Sequence, residues 1–323
     1  MSARHWIAAV ALLGLLGASA ACAQDAPPAL AAGCTFVTLG TASGPMPHRE
    51  RAQPSNVLRC GDDVILVDAG DGAAQQLGRA GITLGDVDAV LLSHLHFDHT
   101  GGLFAFLSRR FQSGYRGPLT VYGPPGTKAT LDALIAAMQP MVADGGWLAS
   151  PLVGTPGSEI ASVELVDGSK LRIGAVAVTA ALNSHYVISD PEGEGSHSLA
   201  YRFDLADRSI VYTGDTGPSA RVEQLAKGAD LLITEVMDPE ESMAALAAAR
   251  PDLPWVARRL VKSHFVRQHL APDEVGQLAQ RSGAKALVLT HIALARESLA
   301  PARAKIAKHF VGPIAFAEDL KTY

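Results

Sequence analysis

Between Ser93 and Gly102 the chain reads SHLHFDHTGG, which puts three histidines and an aspartate into six consecutive positions, His94 to His99. The spacing His-x-His-x-Asp-His is regular and two glycines follow at once, the pattern of a metal site rather than of scattered surface histidines. The residues just before, AVLLS, are almost wholly apolar, as in a strand buried on both faces. A chain of this kind needs sheets covered by helices, with ligands delivered from the strand ends.

The same arrangement recurs along the sequence. Four apolar runs end on a polar residue: AVLLS on His94, IVYTG on Asp215, LLIT on Glu235 and LVLT on His291. Between them, strand-like runs such as Thr35–Leu39, Val64–Asp68, Ala175–Ala181 and Ser198–Phe203 alternate with helical ones such as Gly72–Ala80, Thr127–Met138, Pro218–Lys227 and Pro272–Ser282. This alternation predicts an α/β fold. The Gly- and Pro-rich stretch Asp144–Pro156 is the natural seam between the halves. With His185 from ALNSHY, the donors are His94, His96, Asp98, His99, His185, Asp215 and His291. Seven exceed what one zinc uses and suit two metals with a bridging carboxylate. Imidazole-rich sites favour two Zn2+ per chain, with manganese or iron as alternatives.

Hydrophobic residues make up 48% of the 323 and charged residues 18%, enough for a substantial core. The net charge of −5 argues against a broad basic surface for nucleic acid. At the N-terminus, Arg4 precedes the apolar run Trp6–Leu16, and Ala21-Cys22-Ala23 stands before Gln24. Residues 1–23 therefore read as a signal peptide, with lipoprotein cleavage before Cys22 as the alternative, and 24–323 as a single hydrolase domain. That places the protein in the periplasm or outside the cell, with no stable membrane association. In an exported chain Cys34 and Cys60, which flank neighbouring strand candidates, are expected to form a disulfide bond.

HLHFDH, VDAG (Val67–Gly70), GDTG (Gly214–Gly217) and LTHI (Leu289–Ile292) together resemble the ordered motifs of the metallo-β-lactamase superfamily, over Cys34 to Phe316. The resemblance implies an αββα sandwich with a dinuclear site at one edge of two sheets. It puts one metal on His94, His96 and His185, a second on Asp98, His99 and His291, and Asp215 between them. Asp68 resembles an acid that orients the site, or is a turn residue.

TLGTASGP, GPPG (Gly123–Gly126), HSLAYRF (His197–Phe203) and HLAPDEVGQLAQRSGAKALVLTHI are similar to the ribonuclease Z and zinc arylsulfatase branch. In that branch a histidine paired with a glutamate gives the leaving group its proton, here His269 and Glu235; with Asp98 they form the expected catalytic set. The implied function is an exported dinuclear-zinc hydrolase of phosphodiester or sulfate esters, with a metal-held hydroxide as nucleophile. A small-molecule ester is the expected substrate and a homo-oligomer is compatible. Transfer RNA is not expected as a partner, given the export signal, the acidic net charge and no evident long basic insertion. Alternatives are hydrolysis at a carboxyl centre (β-lactam, lactone or thioester) and a ribonuclease Z-type endonuclease. A non-catalytic binding protein is disfavoured because every metal position is intact. The loops Ala42–Pro54 and Trp147–Pro156 are expected to shape the pocket, with Trp147 as a wall and acids from EGEGSHS near the mouth. His48, His197 and His264 have no motif role and read as structural or pocket-lining residues.

Overall fold

Strand alternation decides which side chains meet. In the run Asp63–Ala69, Ile65 and Val67 face one apolar layer, while Val64 and Leu66 face another. In Leu231–Met237, Leu231 and Ile233 join the first of these layers and Leu232 and Val236 a third. A strand that is apolar on both faces can only lie inside a layered structure. The computed structural model describes residues 33–143, 145, 154–187 and 197–323. The signal-peptide reading of residues 1–23, Trp147 and most of EGEGSHS lie outside the described residues.

The first sheet contains β1 (Thr35–Gly40), β2 (Ser55–Cys60), β3 (Asp63–Ala69), β4 (Ala89–Leu91), β5 (Leu119–Gly123) and β6 (Ile160–Glu164). The second contains β7 (Lys170–Ile173), β8 (Val176–Leu182), β9 (Leu199–Asp204), β10 (Ser209–Tyr212), β11 (Leu231–Met237), β12 (Leu287–Ala293) and β13 (Ile314–Phe316). The chain ends in β14 (Lys321–Thr322), which returns beside β1. Among the described residues each sheet has seven strands and is mixed: β1, β2 and β3 pair antiparallel and β3 to β6 parallel, while β7 to β10 pair antiparallel and β10 to β13 parallel.

The sheets pack face to face through Phe36, Leu58, Leu91, Tyr201, Phe203 and Tyr212. Helices α1 (Ala73–Arg79), α3 (Leu103–Gln112) and α4 (Thr127–Ala143) cover the outer face of the first sheet. Helices α5 (Ala220–Leu225), α8 (Pro272–Ser282) and α9 (Leu299–Ile306) cover that of the second. This is the expected αββα sandwich. The short α2 (Phe97–Thr100) and the pair α6 (Pro239–Ala249) and α7 (Trp255–Gln268) contribute almost nothing to these layers; of α6 and α7 only Gln268 is buried. Among the described residues no helix is long and apolar enough to cross a membrane.

The register of β1 on β2 places Thr35 opposite Arg59, so the next positions outward, Cys34 and Cys60, face each other. They are disulfide-bonded, with Cα atoms 4.3 Å apart. By the loop-entropy relation a bridge over this separation stabilises the fold by about 3–4 kcal/mol. Thiol titration of denatured, unreduced protein is expected to find neither Cys34 nor Cys60 free; two reactive thiols from this pair would contradict the pairing.

Candidate metal centre

One edge of the sandwich gathers the polar strand ends. His94, His185 and Asp215 each lie three residues past the end of a strand, β4, β8 and β10 respectively. Glu235 and His291 differ from expectation. β11 and β12 do not stop at these residues but run on past them, and their pairing slips where they lie: Thr234 pairs Leu289 and Val236 pairs Ile292, so Glu235 on one strand stands against Thr290 and His291 on the other. This two-against-one bulge turns side chains out of the pleat. His291 has φ +44°, in the left-handed region. Such a conformation costs a non-glycine residue on the order of 1–3 kcal/mol and persists only where its surroundings hold it.

The seven expected donors converge in two groups. The ligand atoms of His94, His96 and His185 lie within 4.8 Å of one another, as do those of Asp98, His99, Asp215 and His291. Asp215 reaches both groups: its Oδ2 is 3.2 Å from His291 Nε2, 3.9 Å from His94 Nε2 and 4.0 Å from His185 Nε2, and its Oδ1 is 3.3 Å from His99 Nε2. His94 Nε2, His99 Nε2 and Asp215 Oδ1 are buried without a hydrogen-bond partner. Buried polar atoms left unpaired cost free energy. Atoms this close that are not aligned on one another are aimed at common points between them, which is what metal ions require. The donor set therefore fits divalent metals.

The outer nitrogens are occupied in the complementary way. His185 Nδ1–H donates to the Gln268 carbonyl at 3.0 Å, and His99 Nδ1–H to Asp68 Oδ2 at 2.9 Å, which turns each Nε2 inward. Burial holds His94 and His185 well below the ordinary imidazole range, in the neutral form a ligand needs. Burial would push His99 down as well, but the carboxylates of Asp215, Asp68 and Asp98 outweigh it and hold His99 well above that range. Burial would raise Asp215, but His291 and His99 outweigh it and keep Asp215 well below the usual carboxylate range.

Asp68 is an orienting acid and not a bare turn residue. Fully buried, with φ +58°, it accepts from Ser93 N–H (2.7 Å), Ser93 Oγ–H (2.8 Å), His99 Nδ1–H and Tyr212 O–H (2.7 Å). Tyr212 belongs to the second sheet and Asp68 to the first, so the bond ties the sheets together at the site. Asp68→Asn keeps the shape but turns an amide toward some of these donors. It is expected to weaken metal affinity about 10–100-fold, read by competition with a chromogenic chelator. Unchanged affinity would reduce Asp68 to a packing residue.

Two glycines are set by close approach. A Cβ on Gly44 would stand 2.2 Å from Asp98 Oδ2, and one on Gly217 would stand 2.2 Å from the Arg267 carbonyl. The first lets the β1–β2 loop lie on a ligand; the second lets the GDTG loop lie against the end of α7.

His269 caps α7 and is buried, and its Nδ1 is 2.7 Å from Glu235 Oε2. Glu235 Oε1 accepts from Thr216 N–H at 2.7 Å. Burial pushes Glu235 well above the usual carboxylate range and His269 below the usual imidazole range. His269 also stacks on His291, ring centroids 5.9 Å apart. With His96, Asp98, His185, Asp215 and His291 it lines a cavity of about 260 Å³.

Three further lining residues were not expected to face the site, Phe97, Met237 and Phe265, and His264 lines it as one of its two readings allowed. His264 Nε2 lies 3.3 Å from His269 Nε2. Their carrier, α7, mixes apolar and basic residues without a clear helical period, so only the His264–Phe265 pair next to His269 signalled it. His48 is exposed beside Arg51, and His197 is half-buried outside this cavity.

Residues 64–292 match the model of the "Beta-lactamase superfamily domain". A curated ribonuclease Z of Mycobacterium sp. (strain KMS) is 32% identical over 289 residues, covering 87% of this chain and 93% of that protein. Among solved structures, the metallo-beta-lactamase fold protein YhfI of Bacillus subtilis superposes with TM-score 0.65 at 21% identity, covering 90% of this chain and 98% of that one. Human tRNase Z, short form, gives 0.59 at 20% identity, with coverage of 90% and 98%. The expectation that transfer RNA has no place as a partner is overturned by these relatives. It rested on the export signal, the acidic net charge and the lack of a long basic insertion; net charge reports the average surface and not the rim of one pocket. With its motifs, its layers and its donor cluster agreeing, the chain belongs to the metallo-β-lactamase superfamily, in its ribonuclease Z-like branch.

Proposed function

We propose that the protein is a metal-dependent phosphodiester hydrolase whose substrates include RNA. The observation that carries this reading is the buried Glu235–His269 pair, joined at 2.7 Å, with His269 on the wall of the cavity that His96, Asp98, His185, Asp215 and His291 also line. Ribonuclease Z as a relative supports it. When bound, a pair of divalent ions supplies an activated water and charge neutralisation for a phosphate. The chain's own part is to hold and move a proton. With one proton between Glu235 and His269 Nδ1, His269 Nε2 carries a second that faces the cavity. Giving up the Nε2 proton draws the shared one onto Nδ1 and leaves Glu235 as a carboxylate, with Thr216 N–H in place to stabilise it. The proposal of export rests on the N-terminal pattern and the Cys34–Cys60 bond.

The test is a substrate panel on zinc-loaded protein: an aryl phosphodiester, an aryl phosphomonoester, an aryl sulfate, a β-lactam and a transfer RNA precursor with a 3′ extension. Phosphodiester and RNA cleavage with no β-lactam turnover is the expected outcome. Turnover confined to the β-lactam or the sulfate would replace this reading.

A further inference from the structure

The cavity has a polar floor and an apolar mouth. Phe97 sits between two ligands, His96 and Asp98, yet is 87% exposed while Asp98 and His99 are buried. The cause is local. α2 is a single helical turn, held by Gly101 N–H donating to the Phe97 carbonyl at 2.6 Å. One turn cannot point three consecutive side chains the same way; with 98 and 99 directed inward, 97 is directed outward. Single exposed aromatic residues are ordinary. This one lines the cavity together with Pro45 and Phe265, and Phe265 is brought in by α7, in the other half of the chain. A bare phosphate would use only the histidines and carboxylates of the floor. Rings at the mouth suit a flat group attached to that phosphate.

We infer that Phe97 is a stacking platform, with Phe265 as a further wall, for a flat ring carried by the group next to the scissile bond. The inference rests on the hydrolytic reading above and names the substrate class within it: esters flanked by a nucleobase or another aromatic ring. Stacking of a base on an aromatic side chain tolerates any base, because every base has a π face.

Binding can be measured without turnover. Zinc-loaded protein is titrated calorimetrically with two ligand pairs that differ by the ring: adenosine 5′-monophosphate against ribose 5-phosphate, and phenyl phosphate against methyl phosphate. The ring-bearing member of at least one pair is expected to bind about 10-fold more tightly or better. Phe97→Ala should bring that ratio close to one and Phe97→Leu should keep part of it, with zinc content unchanged in both. A preference in the nucleotide pair alone assigns the ring as a nucleobase, and one in the phenyl pair alone as a simple aryl group. Ratios near one in the natural protein, a ratio that survives Phe97→Ala, or no binding by any of the four overturns the inference. A clear ring preference in a protein that cleaves no phosphodiester would instead sink the hydrolytic reading and leave the platform standing.

Discussion

Asp215→Ala is expected to lower bound metal from two ions per chain to one or fewer and turnover by at least about 10²–10³-fold, the cost of losing one preorganised charged group at a reacting centre. The carboxylate stands within 4.0 Å of imidazole nitrogens from both donor groups, His94 and His185 on one side and His99 and His291 on the other. Without it, imidazoles face one another across a buried space with no anion to bridge what they hold. Asp215→Asn separates charge from shape. It keeps the volume and one oxygen, so it should retain more metal than the alanine variant but recover little activity. Elemental analysis beside initial rates reads both effects. Two ions and near-normal rates in Asp215→Ala would show that the groups do not share this residue.

His269→Ala should leave metal content intact, because His269 is not among the seven donors, and should change how rate depends on the leaving group. An alkoxide needs a proton as its bond to phosphorus breaks, whereas a nitrophenolate leaves nearly unaided. General acid catalysis contributes about 10²–10⁴-fold, so alkyl ester hydrolysis is expected to fall by that order and nitrophenyl ester hydrolysis by much less. Glu235→Gln should act in the same direction more mildly, since Gln keeps a hydrogen bond to Nδ1 but not the shared proton. The readout is the slope of log rate against leaving-group pKa. A steeper negative slope in His269→Ala supports the role; parallel slopes would assign His269 to binding or structure.

The sandwich and its donors were legible because they depend on local pattern. Apolar runs ending on His94 and Asp215 are strands ending at the site, and the alternation in β3 and β11 sorts side chains into the observed layers. Cys34 and Cys60 met because β1 and β2 pair in the register their lengths allow. What escaped depends on contacts between distant segments. The bulge at Glu235 and His291 exists only in the pairing of β11 with β12, and neither strand alone indicates it. The role of Asp68 needed Tyr212 from the other sheet. α7 buries only Gln268, so its sequence carries no strong helical stripe, and the helix is fixed by what its end does: Gln268 accepts from His185, and Arg267 lies against Gly217. Phe265 reached the site unannounced for that reason. Phe97 was in plain view inside the hallmark motif, but its outward direction follows from the single turn of α2.

These residues are expected to form one dinuclear hydrolytic centre. Its most direct test is to strip the full-length protein with a chelator, return zinc in measured steps, and follow bound metal and phosphodiester hydrolysis in the same samples. Activity that is absent at zero equivalents, rises with added zinc and saturates at two ions per chain is the predicted result. Full activity at one equivalent, or activity that survives complete removal of metal, would contradict it.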